Sequence, residues 1–137
     1  MVRFGNFEVE YNRNAPDKVS VRIETDDKGE VWLPKCDIAR AYSVFVQSVN
    51  AGLKSLAKTG DFDEYRDVRV EHFTYNGKDC SVDLYSLETI IALGFRMKGL
   101  KCEAFRKWAA RRLAESFEKK KSTVIICMSG EKRNNWN

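Results

Sequence analysis

The sequence is poor in histidine and proline and has no long apolar run. These shortages disfavour certain metal sites and a membrane-spanning helix. Its 137 residues include 1 histidine, 2 prolines and 4 cysteines, with no CxxC pair. Because zinc sites draw on closely spaced cysteine and histidine ligands, this composition disfavours a tetrahedral zinc site. No segment approaches the roughly 18 consecutive apolar residues of a membrane-spanning helix, so we expect a soluble protein that does not bind membranes.

The cysteines and the N-terminal residues bear on the compartment. Cys36, Cys80, Cys102 and Cys127 are far apart in sequence, and we expect reduced, mostly buried thiols. Two disulfides in a secreted domain are the alternative. Because the start of the chain has no apolar segment behind its basic residue, it does not resemble a secretory signal. The expected location is therefore cytoplasmic.

The sequence also lacks a recognisable reaction centre. His72 lies in a predicted strand, and no nucleophile and base stand at a catalytic spacing. No glycine-rich phosphate loop is present, so we expect no cofactor. The one tight acidic cluster is Asp61, Asp63 and Glu64, in a linker where solvation is the ordinary explanation. We predict a protein that is not an enzyme, and keep a metal-dependent nucleic-acid-processing enzyme as the least favoured alternative.

Positive charge is concentrated in the last third of the chain. Residues 85–137 contain 12 lysines and arginines against 5 aspartates and glutamates, whereas residues 1–84 are slightly acidic. A lone run of lysines, such as 119–121, is ordinarily a solvated surface. A basic segment in an otherwise acidic chain instead creates a local field that attracts polyanions such as nucleic acids.

Two β-hairpins are predicted from alternating apolar residues on either side of a turn. The first runs through "VSVRIETDDKGEVWL", where Val19, Val21 and Ile23 alternate before a turn at 26–29 and the pattern resumes after it. The earlier run "FEVEY" can add a strand to this hairpin. The second hairpin is "VRVEHFTYNGKDCSVDLY", whose Asn76-Gly77 pair is the strongest short-range signal for a type I′ turn.

Four helices are predicted between and after the hairpins. Pro34 opens the first at 34–42, and Ser43 is the expected N-cap of the second, which covers 44–58 and stops at Gly60. Ser86 is the expected N-cap of the third, which ends near Gly94. The second helix is expected to bury Val46, Val49, Leu53 and Leu56, and the last helix Phe105, Trp108, Ala109, Leu113 and Phe117. The expected fold class is α+β: one small domain at 1–121, followed by a tail at 122–137 that is a strand or flexible.

The first two helices and the second hairpin have the layout of a winged helix-turn-helix. A plain helical hairpin is the alternative, because the turn lacks the glycine common in such motifs. In the winged form, Gln47 and Ser48 would reach base edges, and lysines later in the same helix would reach phosphates. The predicted nucleic-acid contacts are Lys35, Arg40, Gln47, Ser48, Lys54, Lys58, Arg96, Lys98, Lys101, Arg106, Lys107 and Arg111.

Several segments together resemble a known family. The element "VWL" at 31–33, the segment "LYSLETIIALGFR" at 84–96 and the segment "FRKWA" at 105–109 resemble the RhuM-type virulence proteins of bacteria. The layout is also similar to the Bro-N and KilA-N modules of phage antirepressors and large DNA viruses. This resemblance implies a module of a bacterial or prophage transcription regulator that binds double-stranded DNA. The alternative is an antirepressor-like module that binds a repressor or another protein, and a homodimer is also open.

Overall fold

The computed structural model describes residues 4–12 and 14–120, without the side chains of residues 16, 17, 119 and 120. This part of the chain forms five helices and two antiparallel sheets, so the predicted α+β class is confirmed. The predicted tail at 122–137 lies outside the described residues. The elements are β1 (Asn6–Asn12), β2 (Ala15–Glu24), β3 (Trp32–Leu33), α1 (Lys35–Tyr42), α2 (Val46–Lys58), α3 (Glu64–Asp67), β4 (Val68–Tyr75), β5 (Lys78–Ser86), α4 (Leu87–Arg96) and α5 (Leu100–Lys120).

The first hairpin is built differently from the prediction. Strand β2 pairs with β1, with Val9 opposite Val21, and not with the residues that follow the turn at 26–29. Strand β3 instead joins β5 in the second sheet, where Leu33 lies opposite Tyr85. The turn itself is present as predicted, because Gly29 donates its amide to the carbonyl of Asp26 at 3.0 Å. A local turn signal fixes a change of direction, however, and does not determine which strand the chain meets next.

The second hairpin is confirmed. Strands β4 and β5 pair from Val68 opposite Tyr85 to Tyr75 opposite Lys78. Asn76 and Gly77 both have positive φ, 51° and 76°, which is the signature of the type I′ turn. The sheet order is β3-β5-β4, so β4 is an edge strand.

Two helix starts show the limits of cap prediction. Ser86 caps α4 as expected, since its Oγ accepts a hydrogen bond from the amide of Thr89 at 3.3 Å. Ser43 does not cap α2: it ends α1 in the left-handed region, with φ 53°. Helix α2 begins at Val46, after Phe45 in the N-cap position without a side-chain cap. The short helix α3, absent from the prediction, is capped by Asp63.

An aromatic cluster ties the sheets and helices together. Phe7, Tyr42 and Phe105 are buried, with ring centroids 5.4 to 5.7 Å apart. The Tyr42 hydroxyl donates to the carbonyl of Ile90 at 2.7 Å, and burial, with a smaller effect from Cys102, raises the pKa of Tyr42. The phenol is therefore a neutral hydrogen-bond donor in the core.

Helix α5 is anchored through its first half. A Cβ on Gly94 of α4 would lie 2.6 Å from Phe105 Cδ2, so the missing side chain is what lets Phe105 approach. Trp108 stacks on Phe105 at 6.1 Å and is only partly buried. Leu113, expected in the core, is exposed. The apolar face of α5 therefore extends beyond the part of the domain that it packs against.

Candidate nucleic-acid interface

Helices α1 and α2 are joined by a three-residue turn at 43–45, the layout of a helix-turn-helix motif. Ser43 takes the left-handed conformation that glycine favours. The amide of Val44 donates to the carbonyl of Ala39 at 2.9 Å, and Ala39 is buried beside the turn. The turn length fits the 3–4 residues of the motif. A serine therefore provides the backbone geometry that a glycine commonly supplies in such turns.

The inward face of α2 fixes its rotation. Val49, Leu53 and Leu56 are buried as predicted, while Val46 is 39% exposed, contrary to the prediction. On the same helix, a Cβ on Gly52 would lie 2.7 Å from Leu93 Cδ2. Because α4 presses against this glycine, α2 cannot roll without a clash, and its opposite face is held outward.

The outward face of α2 carries a stripe of four exposed residues. Gln47, Ala51, Lys54 and Lys58 recur at spacings of four and three, which places them on one side of a helix. Within the described residues, the side chains of Gln47, Lys54 and Lys58 make no hydrogen bond and no ion pair. Helix α2 contains no carboxylate. We call these four residues the α2 stripe; Ser48, partly buried, flanks it.

Arg96, a predicted DNA contact, is bound within the protein. Its Nη1 donates to Ser55 Oγ at 2.7 Å, and its Nη2 donates to Thr59 Oγ1 at 2.9 Å. The same Nη2 forms an ion pair with Asp61 at 3.2 Å. Arg96 therefore fastens the end of α4 to the end of α2, and its charge is balanced by Asp61.

The sequence suggested that Arg106 is a free charge on the outer surface of α5, and the structure contradicts this. Arg106 is partly buried, and its Nη1 donates to the carbonyls of Gly94 and Met97, both at 3.0 Å. These carbonyls belong to the last turn of α4 and its C-cap, where backbone acceptors lack helical partners. Arg106 therefore caps α4 from the neighbouring helix. We call residues 94–106 the α4–α5 junction.

Two further predicted contacts form ion pairs on their own helices. Arg40 pairs with Asp37 at 2.9 Å, and Lys107 pairs with Glu103 at 3.2 Å. Both pairs are largely solvent-exposed, and pairs of this kind add little stability. Each cation nevertheless has a carboxylate beside it, which weakens the field that it offers to a polyanion.

Lys98 lies beside the first turns of α2. A Cβ on Gly52 would lie 3.3 Å from Cγ of Met97, just before Lys98, and a Cβ on Gly99, just after it, would lie 3.5 Å from Val44 Cγ1. Both neighbours therefore touch the turn or the helix that carries the stripe. Lys98 itself is exposed, and its neighbours lie against the N-terminal half of α2 and the turn before it.

The other predicted cations are spread over the domain. Lys35 Nζ lies 5.8 Å from the centre of the Tyr85 ring. Lys101 is partly buried in the first turn of α5, and Arg111 is exposed later in the same helix. At 1.5 Å per residue, Arg111 is about 17 Å along the helix axis from its start. Helix α5 packs on α4, β1 and β2, and α2 on α1 and α4.

The β4–β5 hairpin does not have the charge of a DNA-contacting wing. Residues 70–83 contain the carboxylates Glu71, Asp79 and Asp83 and one cation, Lys78, besides histidine. Phe73 is roughly half exposed, as are other apolar side chains of the hairpin. An acidic and apolar surface is poorly matched to phosphates, so cations that would meet DNA must come from other elements.

The acidic cluster expected in the linker is dispersed among other partners. Asp61 pairs with Arg96, and Asp63 caps α3 through the amide of Tyr65 at 3.0 Å. Over residues 4–12 and 14–120, no group of three or more His, Cys, Asp or Glu side chains could hold a metal ion. None of the described helices is both long and apolar enough to cross a membrane. Cys36, Cys80 and Cys102 are free thiols.

Comparison with protein-family models, with curated proteins and with solved structures gives no match. The likeness to RhuM-type proteins therefore remains a resemblance of sequence segments.

Proposed function

We propose that this protein binds double-stranded DNA through the α2 stripe, as a non-enzymatic module of a bacterial or prophage transcription regulator in the cytoplasm. The observation that carries the proposal is the stripe itself. Its polar side chains have no partner in the described part of the fold, and no carboxylate interrupts it. It also lies on the second helix of a helix-turn-helix unit, the element that enters the major groove in such proteins.

Each residue of the stripe has chemistry that fits this role. Gln47 lies in the first turn of α2, where its amide can pair with the two major-groove groups of adenine. Ala51, one turn later, is small enough to let the helix approach. Lys54 and Lys58 suit phosphates, which position the protein without specifying sequence. The resemblance to RhuM-type, Bro-N and KilA-N sequences supports the same function.

The proposal is tested by selecting preferred sites from a random pool of duplexes and titrating the parent protein and Gln47→Ala against the enriched site. We expect Gln47→Ala to lose about 1–3 kcal/mol of binding free energy at that site. Against a scrambled duplex the two proteins should bind equally, because phosphate contacts are unchanged.

A matched control is Thr25→Ala, which truncates an exposed polar side chain in the segment after β2 and should bind both duplexes as the parent does. If Gln47→Ala and the parent bind the enriched site equally, α2 does not read sequence. If the parent binds no duplex at all, the proposal is wrong.

The β4–β5 hairpin favours a second candidate function, which is contact with another protein. Val70, Phe73 and Tyr75 of the edge strand β4 are substantially exposed. Exposed apolar residues on an edge strand are suited to pairing with another chain, such as a repressor or a second copy of this protein. Sedimentation equilibrium tests whether a second copy binds at this strand. A parent dimer that Phe73→Ser dissociates would support this function, and a parent that is monomeric at all concentrations would contradict it.

A further inference from the structure

Phe45 has a conformation and an exposure that the fold does not explain. It occupies the N-cap position of α2 with φ −79° and ψ 154°, and its side chain makes no cap hydrogen bond. Ser, Thr, Asp and Asn are preferred there because their oxygens accept from the first helical amides. The Phe45 ring is also 81% exposed. A large apolar side chain at this position neither caps the helix nor fills the core.

The surroundings of Phe45 restrict the kind of partner that its ring can meet. It precedes Gln47 by two residues, and a Cβ on Gly99, next to the exposed Lys98, would lie 3.5 Å from Cγ1 of the adjacent Val44. Residues 38–60 contain lysine and arginine but no carboxylate. An exposed apolar ring two residues before the Gln47 amide, in a segment without carboxylates, is suited to a polyanion that also presents an accessible apolar group.

Double-stranded DNA has one apolar group of this kind in its major groove, the 5-methyl group of thymine, and phenylalanine is among the side chains that contact it. A protein partner for this helix would instead be expected to bring carboxylates to Lys54 and Lys58. The apolar part of Phe45 and the adenine-reading amide of Gln47 would then address neighbouring A·T pairs.

We propose that Phe45 contacts the thymine 5-methyl group, so that the preferred DNA site has an A·T pair beneath the first turn of α2. This inference rests on the proposed function, DNA binding through the α2 stripe, and adds the base that is read and the residue that reads it. Phe45 is thus a specificity-determining residue.

The test replaces each thymine of the enriched site by deoxyuridine, one at a time, because uracil keeps the base pair and lacks only the methyl group. At one or two positions the parent should bind the uracil duplex about fourfold more weakly, which corresponds to the ~0.8 kcal/mol of one buried methylene-sized group. Phe45→Ala should bind the thymine and uracil duplexes equally at those positions.

Two variants serve as controls. Tyr65→Ala removes a fully exposed aromatic ring on α3 and should keep the fourfold discrimination. Phe45→Leu restores an apolar side chain and should recover part of it. Thermal unfolding of Phe45→Ala should match that of the parent, because the ring is not packed.

The outcomes that contradict the inference are distinguishable. Equal binding of thymine and uracil at every position by the parent overturns the inference and leaves DNA binding intact. Discrimination that persists in Phe45→Ala shows that another residue reads the methyl group. If Phe45→Ala leaves DNA binding unchanged but dissociates an oligomer, the ring contacts protein instead. Absence of binding to any duplex overturns both the inference and the proposed function.

Discussion

The two lysines of the α2 stripe and the two arginines of the α4–α5 junction are all predicted DNA contacts, but their surroundings differ. Lys54 and Lys58 of the stripe point away from the domain, with no partner in the described chain. Arg96 and Arg106 of the junction donate to side chains and backbone carbonyls of neighbouring helices. The same positive charge therefore stabilises the fold in one region and is available to a ligand in the other.

The side-chain chemistry explains this division. The arginine guanidinium has several donors in a fixed plane, so it can satisfy two or three acceptors on adjacent helices. The lysine ammonium is a compact, strongly hydrated charge on a flexible stem, suited to a solvent-facing surface that meets phosphates. A count of basic residues cannot separate these uses, but residue type together with contact geometry can.

The largest expected effect is at the anchor of α5. Phe105→Ala should lower the free energy of unfolding by about 3–5 kcal/mol, the range for truncating a buried aromatic residue. Urea unfolding followed by circular dichroism measures this. Leu113→Ala on the same helix is the control and should cost less than about 1 kcal/mol, because Leu113 is exposed. Equal losses would mean that α5 is not anchored through its first half.

A smaller loss of stability is expected from the junction itself. Arg106→Gln should destabilise by about 1–3 kcal/mol, since it leaves the Gly94 and Met97 carbonyls without their donor. DNA affinity of the folded protein should not change. Arg111→Gln, an exposed arginine of the same helix, should alter stability by no more than about 0.5 kcal/mol. A stable Arg106→Gln variant with weakened DNA binding would place Arg106 in the interface.

The ion pair between the exposed Arg66 and the buried Asp67, at the end of α3, predicts a pH dependence of stability. Burial on its own would raise the pKa of the Asp67 carboxyl. Hydrogen bonds from Arg66, from the backbone amide of Asp63 and from Ser86 outweigh burial and lower that pKa below its ordinary value. A lowered pKa in the folded state means that the carboxylate stabilises the fold at neutral pH. This contribution is lost as the pH falls below about 4 and through the folded-state pKa.

Asp67→Asn should therefore lose roughly 1–2 kcal/mol at neutral pH and show a flatter decline in stability through the acid range. Thermal unfolding at a series of pH values measures both effects. As a control, Asp83→Asn changes an exposed carboxyl on β5 and should keep the parent's acid decline. If the stability of Asp67→Asn depended on pH as that of the parent does, Asp67 would not be the group responsible for the acid decline.

Features encoded locally could be predicted from the sequence. The type I′ turn at Asn76-Gly77 follows from two residues that accept positive φ, and the Ser86 cap follows from one hydroxyl near one amide. The buried and outward faces of α2 follow largely from its 3.6-residue period. The residues of the α2 stripe could therefore be identified from the amino-acid sequence alone.

Features that depend on distant contacts could not. The pairing of β2 with β1 depends on which apolar faces pack together in the core, and a local turn motif carries no information about that packing. Arg96 donates to residues some 40 positions away in sequence, including Ser55. The sequence alone therefore suggests a surface charge, because it does not show which helices pack together. Phe45 was missed because a cap expected at Ser43 put it inside α2, where its exposure could not be seen.

The most direct measurement of the central claim is the salt dependence of DNA binding. Each phosphate neutralised lowers log K by ~0.9 per log unit of salt, so Lys54→Gln with Lys58→Gln should flatten the slope by about 1.8. The control Lys18→Gln with Lys28→Gln removes the same charge from β2 and the turn after it, and should keep the parent's slope. A flattened slope in the stripe variant alone is the expected result; equal slopes for the stripe variant and the parent would contradict DNA binding through Lys54 and Lys58.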